Sequence, residues 1–237
     1  MSSVTRPPEG FAMIRATVLL FFLGRAILAQ EAPVPYPDLV KEYEAASKAD
    51  HQGAAKQFVP RFVEAAAARA GREEAVPFLL WVVENARAKE FGDQVRGALA
   101  TLLETHIASP QLSRLPWALY IQTWSLGTEA VQAALTTLVE KSPHPAVQAT
   151  ALHRRAEMVG GRGAVDAEAL AAARADCKRA IELAPGNPSY TGLLFEIENL
   201  QVGMVAPEIE GKDLDGVDFK LSDYRGQVVL LDFWGDW

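Results

Sequence analysis

The chain has 237 residues, 49% of them hydrophobic, and a formal net charge of −7 at pH 7. This composition is typical of a folded globular protein with one or two domains, and the acidic balance argues against a broad basic surface for nucleic acid. The single cysteine excludes an internal disulfide, a Cys-x-x-Cys pair and a multi-cysteine metal site within these residues.

The N-terminal segment predicts export from the cytoplasm. Arg15 precedes a short apolar run over residues 16–24, and small residues follow. This pattern indicates a secretory signal over residues 1–29, with cleavage after Ala29, and a location in the bacterial periplasm or cell envelope. The alternative is an uncleaved membrane anchor in which Arg25 reaches the interface; that segment would then be the only membrane contact.

A change in composition predicts a domain boundary near residue 201. Of the 39 alanines, 38 precede residue 200 and only Ala206 follows it, whereas the last 37 residues are rich in valine, glycine and aspartate. Alanine favours helix, and valine runs with glycine favour strands and turns. We therefore expect an α-helical domain over residues 30–201 and a different domain over residues 202–237.

Apolar spacing and capping residues predict a succession of helices in the first of these domains. The first expected helix begins at Pro37-Asp38, and the next three cover Arg61–Ala70 after Pro60, Glu73–Ala88 and Phe91–Ile107. A fifth helix starts at a Thr128 cap, and a sixth runs from Pro145 to Gly160. A seventh runs from an Asp166 cap to about Ala184, and the last starts at Asn187-Pro188. The segment from Ala175 to Pro188 is similar to the end of a tetratricopeptide unit. No clean 34-residue repeat is present, so the prediction is a degenerate TPR-like array of helical hairpins, mainly α in class.

This helical part shows no legible catalytic arrangement. Cys177 lies beside Lys178, which could activate a thiol, but a small residue on a helix is the expected role. His153 lies next to two arginines and is predicted to be solvated. The tryptophans Trp81, Trp117 and Trp124 are predicted to pack in apolar surroundings. The histidines lack metal-site spacing, and no metal or organic cofactor is expected; they are His51, His106, His144 and His153.

The last 36 residues predict a short β-rich segment. Asp215-Gly216 marks a turn, Val217–Leu221 alternates as a strand, and Ser222 is the expected cap of a helical turn. The run Val228–Phe233 is apolar except for Asp232, which suits a central strand buried on both faces.

These motifs, in this order, resemble the opening of the TlpA-like and AhpC/TSA-like redoxins, which have the thioredoxin fold. The resemblance comprises Gly203-x-x-Ala-Pro, Asp215-Gly216, the run Leu221–Gly226 and the run Val228–Trp237. In that family the tryptophan at the position of Trp237 is followed directly by Cys-x-x-Cys.

The resemblance implies thiol–disulfide exchange with protein thiols or disulfides, without metal or organic cofactor. It places Asp232, Trp234 and Trp237 beside the expected active site. Because the sequence stops at Trp237, before the expected redox cysteines, we expect the domain to be truncated and the chain as given to be inactive, with no catalytic residue of its own.

Two other functions stay open. One is a redoxin-type peroxidase with a single peroxidatic cysteine, which the Trp-x-x-Trp pattern disfavours. The other is a non-enzymatic helical module that binds a protein partner, in which the tail is a vestige. No nucleic-acid partner is expected.

Overall fold

The computed structural model describes residues 34–160 and 166–233, and the predicted signal segment lies outside these ranges. The described residues are mainly helical, as predicted. They form ten α-helices: α1 Tyr36–Ser47, α2 His51–Ala67, α3 Val76–Asn85, α4 Gly92–Thr105, α5 Leu115–Ile121, α6 Thr123–Leu126, α7 Thr128–Lys141, α8 Pro145–Gly160, α9 Ala167–Leu183 and α10 Pro188–Asn199.

Local capping signals place several helix starts correctly. The side chain of Asp166 accepts a hydrogen bond from the Ala169 backbone N–H at 2.8 Å, and Asn187 accepts one from the Ser189 N–H at 3.0 Å. These caps satisfy N–H groups that have no partner inside the first helical turn. The predicted cap Thr128 is wrong: Gly127, with φ +86°, precedes the helix, and Thr128 is its first residue.

The predicted helix start after Pro60 is also wrong, because Pro60 lies inside α2. The helix begins at His51, ten residues before the predicted start at Arg61, and the Asp50 carboxylate there accepts from the Gly53 N–H at 3.0 Å. Pro60 is exposed, while Phe58 before it and Phe62 after it are buried on the same side. Burial of a continuous apolar face outweighs the roughly 3 kcal/mol that an interior proline costs a helix.

The main core surrounds α3. Every residue from Phe78 to Val83 in this helix is buried. The Phe62 ring from α2 stacks on Trp81 with centroids 3.6 Å apart, and Tyr43 from α1 meets Trp81 edge-on at 4.8 Å. The buried Gln122 side chain donates to the carbonyls of Val83 and Ala86 at 2.9 and 3.1 Å, which satisfies the C-terminal end of α3.

Helix α8 packs on two sides. Val147 and Ala151 join the main core, whereas two smaller clusters bury its other faces against α9 and α10. An ion pair adds to this packing: Arg155 in α8 donates two hydrogen bonds of 2.7 Å to the Asp176 carboxylate in α9 and one of 3.1 Å to the Thr136 hydroxyl in α7.

Residues after α10 form a small β-hairpin. Strand β1 (Glu210–Lys212) pairs antiparallel with β2 (Asp218–Lys220), so the predicted strand is confirmed in a shorter form. The predicted Ser222 cap is wrong: the following 3₁₀ turn spans Leu221–Tyr224, and Asp223 accepts from the Lys220 N–H at 2.8 Å.

The run 228–233 is exposed and is not a strand, so the buried central strand that its composition suits does not form. A strand buried on both faces needs hydrogen-bonded neighbours on both edges. In the described part of the chain the two strands pair with each other, so this run lacks a sheet to join. Its five apolar side chains therefore contact water.

No helix within residues 34–160 and 166–233 is long and apolar enough to cross a bilayer.

The Arg155–Asp176 pair makes a testable contribution to stability. Substitution Asp176→Ala should lower the free energy of unfolding by about 2 kcal/mol, between the values for exposed and fully buried ion pairs, because it leaves a half-buried guanidinium without its carboxylate. Glu182→Ala in the same helix is the matched control: its pair with Arg179 is exposed, and the expected loss is below about 1 kcal/mol. Urea denaturation measures both, and equal losses would contradict the assignment.

The tail should contribute little to the stability of the helices. Among the described residues, none after Ile197 is buried. Deletion of Val202–Trp237 should leave the melting temperature nearly unchanged and raise solubility, because it removes an exposed apolar run with high β-propensity. Calorimetry and a concentration series check this. A fall of many degrees would show that the tail belongs to the helical core.

Candidate functional site

The hairpin is organised by backbone and carboxylate hydrogen bonds. Asp213 accepts from the N–H groups of Asp215 and Val217, both at 2.9 Å, and Gly216 provides the turn's positive φ of +80°. On one face, Lys220 pairs with Glu210 at 2.5 Å and Lys212 with Asp218 at 2.9 Å. These contacts are local, which allows the hairpin to form without a surrounding sheet.

Glu208 connects the entry of this segment to the 3₁₀ turn. Its carboxylate accepts from the Ser222 N–H at 3.0 Å and from the Ile209 N–H at 3.3 Å. Hydrogen bonds from the side chain and then the backbone of Ser222 hold the pKa of Glu208 below its usual value. A cavity of about 240 Å³ lies here, with Val205, Tyr224 and Val229 in its lining.

The structure describes only one of the three residues that were predicted to flank an active site. Asp232 is exposed and lies in the extended run after the turn. Trp234 and Trp237 lie outside the described residues. The grouping of the three around an active site therefore stays a prediction.

The surroundings of Cys177 disfavour a reactive thiol. Its side chain is buried in the cluster that joins α8, α9 and α10. Burial, and then the nearby carboxylates of Asp176 and Glu198, raise the pKa of the thiol to about 11. Only on the order of one thiol in 10⁴ is ionised at neutral pH with such a pKa, so Lys178 does not activate it.

We expect the Cys177 thiol to react readily only when the chain unfolds. A thiol reagent such as DTNB should react with the native chain at pH 7.5 far more slowly than with a free thiol, because the attacking species is the thiolate and the side chain is covered. In 6 M guanidinium the reaction should become fast and reach one thiol per chain. Rapid labelling of the native protein would contradict this assignment.

His153 is half-buried, and the prediction that it is solvated is wrong. Its ring lies 4.9 Å from that of Tyr190 between centroids, and its Nδ1 has no hydrogen-bond partner among the described residues. Burial, and then the charge of Arg154, lower the pKa of His153 to about 4. The local sequence did not indicate that His153 is covered, because Tyr190, which packs against it, is 37 residues away.

The lowered pKa of His153 makes the stability of the folded chain depend on pH. The unfolded histidine has a pKa of about 6.5, so the unfolded state binds more protons than the folded state between pH 6.5 and 4. Lowering the pH from 7 to 5.5 should therefore cost the wild-type chain about 1 kcal/mol more than it costs His153→Phe, which keeps a ring against Tyr190. Urea unfolding at the two pH values measures this difference. Parallel losses in both proteins would contradict the depressed pKa.

Two of the three tryptophans predicted to pack are instead exposed. Trp81 is buried as predicted, but Trp117 is 52% exposed and Trp124 fully exposed. The rings of Trp117 and Tyr120 lie 5.9 Å apart, and the Arg154 guanidinium covers both at 4.8 and 5.0 Å. The helical face that carries these residues was not distinguishable from a core face by apolar spacing alone.

No three His, Cys, Asp or Glu side chains in the described ranges lie close enough together to hold a metal ion.

Comparison with known proteins finds similarity to thiol–disulfide oxidoreductases over a short segment. The chain is 44% identical over 52 residues to the thiol–disulfide oxidoreductase ResA of Geobacillus kaustophilus, which is 22% of this chain and 30% of that protein. The chain is 41% identical over 52 residues to ResA of Geobacillus thermodenitrificans, with the same coverage of both proteins. It is 39% identical over 54 residues to ResA of Bacillus anthracis, and this match covers 23% of this chain and 31% of that protein.

The chain thus spans less than a third of the length of these curated relatives. The similarity supports a relationship to the thioredoxin-like redoxins for the aligned segment. No family model matches the chain. No solved structure matches it either.

Proposed function

We propose that residues 202–237 are the beginning of a thioredoxin-like redoxin domain, and that the protein acts in thiol–disulfide exchange with protein thiols outside the cytoplasm. The observation that carries this proposal is the 37–44% identity over 52–54 residues to several ResA proteins. The motif series from Gly203 to Trp237 points to the same family.

The chemistry requires a thiolate that attacks a disulfide sulfur and a second thiol that resolves the mixed disulfide. Neither role suits Cys177, which is buried with a raised pKa. We propose that the residues as given do not catalyse exchange, and that Asp232, Trp234 and Trp237 flank the position of a Cys-x-x-Cys pair in a completed domain. No organic cofactor or metal takes part in this scheme.

Completion of the domain tests this proposal directly. A chimera would join Trp237 to the part of Geobacillus kaustophilus ResA that follows the counterpart of Trp237 in that protein. If residues 202–237 are the start of a redoxin domain, the chimera should accelerate reduction of insulin disulfides by dithiothreitol, whereas the 237-residue chain should not exceed a free-thiol control.

Two controls separate folding from chemistry. Serine at the cysteines of the grafted part should abolish the activity, while Cys177→Ser should leave it intact. The same graft joined to a chain that ends at Gln201 should be inactive, because it lacks the first strands. An inactive chimera beside an active intact ResA would contradict the proposal.

We also propose export through residues 1–29. Expression in a bacterial host should place the chain outside the cytoplasm, with Gln30 or a near neighbour as the first residue by N-terminal sequencing. Recovery of the intact N-terminus in the soluble cytoplasmic fraction would contradict export.

A second candidate function, binding of a protein partner by the helical part, is favoured by the exposed Trp117, Tyr120 and Trp124. Tryptophan, tyrosine and arginine dominate the binding energy of many interfaces. A photo-crosslinker at position 124 should then capture one partner in the native cells, and a crosslinker at the exposed Ala171 in α9 should not. Equal crosslinking at the two positions would argue against this function.

A further inference from the structure

A cavity of about 540 Å³ lies between the first turns of α2 and the loop that joins α3 to α4, and neither proposed function uses it. Helix α2 contributes Lys56 to its lining, and the loop contributes Arg87 and Lys89. The apolar part of the lining consists of Ala55, Ala88 and the buried Phe91. Pockets for small organic molecules have volumes of roughly 300–1,000 Å³.

This cavity is positively charged in a chain that is acidic overall. Lys56, Arg87 and Lys89 are cations at neutral pH, and the lining contains one carboxylate, that of Glu90. With His51 in the lining taken as neutral, three cations and one carboxylate give the cavity a formal charge of +2, whereas the whole chain carries −7. A concave surface of one sign attracts ligands of the opposite sign.

The carboxylates next to these residues in sequence are engaged elsewhere. Asp50, which precedes the start of α2, accepts a hydrogen bond from the Gly53 N–H at 3.0 Å. Glu84, near the end of α3, pairs with Arg114 at 2.7 Å. Neither residue lines the cavity, so neither neutralises its cations.

The cations in the lining are available to a ligand. The printed contact of Arg87 is a long one of 3.5 Å from its Nε to the Glu84 carbonyl, and within residues 34–160 and 166–233 its terminal nitrogens and Lys89 form no ion pair. Lys56 lies 3.5 Å from Glu90, and both side chains are about half exposed or more. Such an exposed pair contributes little free energy, so Lys56 can turn from Glu90 to a bound anion at low cost.

The α3–α4 loop holds these cations in fixed positions. The buried Gln122 side chain donates to the Ala86 carbonyl at 3.1 Å, and the Arg87 N–H donates to the Asn85 carbonyl at 2.9 Å. Phe91 is buried in the main core at the other end of the loop. Ligand-binding residues are commonly carried by loops that a rigid scaffold positions in this way.

The chemistry of the lining favours a small organic dianion. A guanidinium presents paired N–H groups that match the oxygens of phosphate or carboxylate, and the two lysines add compact positive charges. A formal charge of +2 is balanced by two negative charges. The apolar residues Ala55, Ala88 and Phe91 are suited to contact an organic body rather than a bare inorganic ion.

We propose that this cavity, here named the α2–loop cavity, binds a small organic molecule that carries two negative charges. Its anionic group bonds to Arg87 and Lys89, and its organic body lies against Phe91. The proposal is independent of the redox function, because the cavity lies wholly within residues 51–91 of the helical part.

The test uses the full 237-residue chain and phenyl phosphate at about pH 8, where phosphate monoesters carry two negative charges. Isothermal titration at constant ionic strength should show saturable binding of one molecule per chain. Arg87→Gln should weaken this binding at least tenfold. Arg72→Gln is the matched control: Arg72 is also exposed and also bonds to a backbone carbonyl, that of Ala68, but it lies beyond the opposite end of α2, and its loss should change the affinity less than twofold.

A second pair of variants examines the sign of the charge. Glu90→Gln removes the carboxylate of the lining and should tighten binding at least threefold. Glu104→Gln makes the same change at an exposed position near the C-terminal end of α4, outside the lining, and should leave the affinity unchanged.

Two further ligands examine the anionic group. Phthalate also joins an aromatic ring to two negative charges, so its affinity relative to phenyl phosphate shows whether the cavity prefers a dicarboxylate or a phosphate ester. Phenol has the ring without the anion and should not bind saturably.

Three outcomes would overturn the proposal. The first is that neither phenyl phosphate nor phthalate binds saturably. The second is equal weakening by Arg87→Gln and Arg72→Gln, or equal tightening by Glu90→Gln and Glu104→Gln, which would show a general effect of net charge. The third is that phenol binds as tightly as phenyl phosphate.

Discussion

Helix α3 is apolar on every side from Val76 to Val83, and most of the helical architecture follows from that constraint. A helix without a polar face is stable in water only when other helices surround it. Helices α1, α2, α4 and α5 supply this cover, with the Phe62–Trp81 stack at its centre. The last carbonyls of this helix are buried and would be costly without a donor, and the Gln122 amide provides the N–H groups that they need.

The tail is governed by a different requirement. Its hairpin forms because ion pairs and the Asp213 turn act between residues close in sequence. The run 228–233 has the composition of a central strand but needs partners from distant parts of a sheet. The same residues that favour a redoxin domain are therefore exposed in this structure, and the similarity to ResA rather than the local conformation carries the functional argument.

Several features that depend on neighbouring residues were predictable from sequence, although the caps at Thr128 and Ser222 were misassigned, whereas most features that depend on distant residues were not predictable. Asp166 and Asn187-Pro188 act through hydrogen bonds within three residues, so their helix starts could be read directly. Pro60 was misread because local propensity favours a helix start there, whereas the buried face that runs past it depends on packing against α3.

The residues considered for function show the same contrast between local and distant effects. The sequence predicted Cys177 only as a small residue on a helix, and its burial depends on contacts with α8 and α10. The depressed pKa of His153 was not predicted, because it depends on packing against α10. The exposure of Trp117 and Trp124 was missed since apolar spacing marks a face without saying what covers it.

The division of the helical interior into one large and two small clusters affects how the protein opens. Helices α9 and α10 bury their apolar residues in the small clusters with α8, which contain few large side chains. Elements with little buried apolar area can detach while the rest of a domain stays folded. Opening of α9 and α10 would uncover Cys177, so the resistance of this thiol to oxidation is set by the free energy of that partial opening rather than by the global stability of the chain.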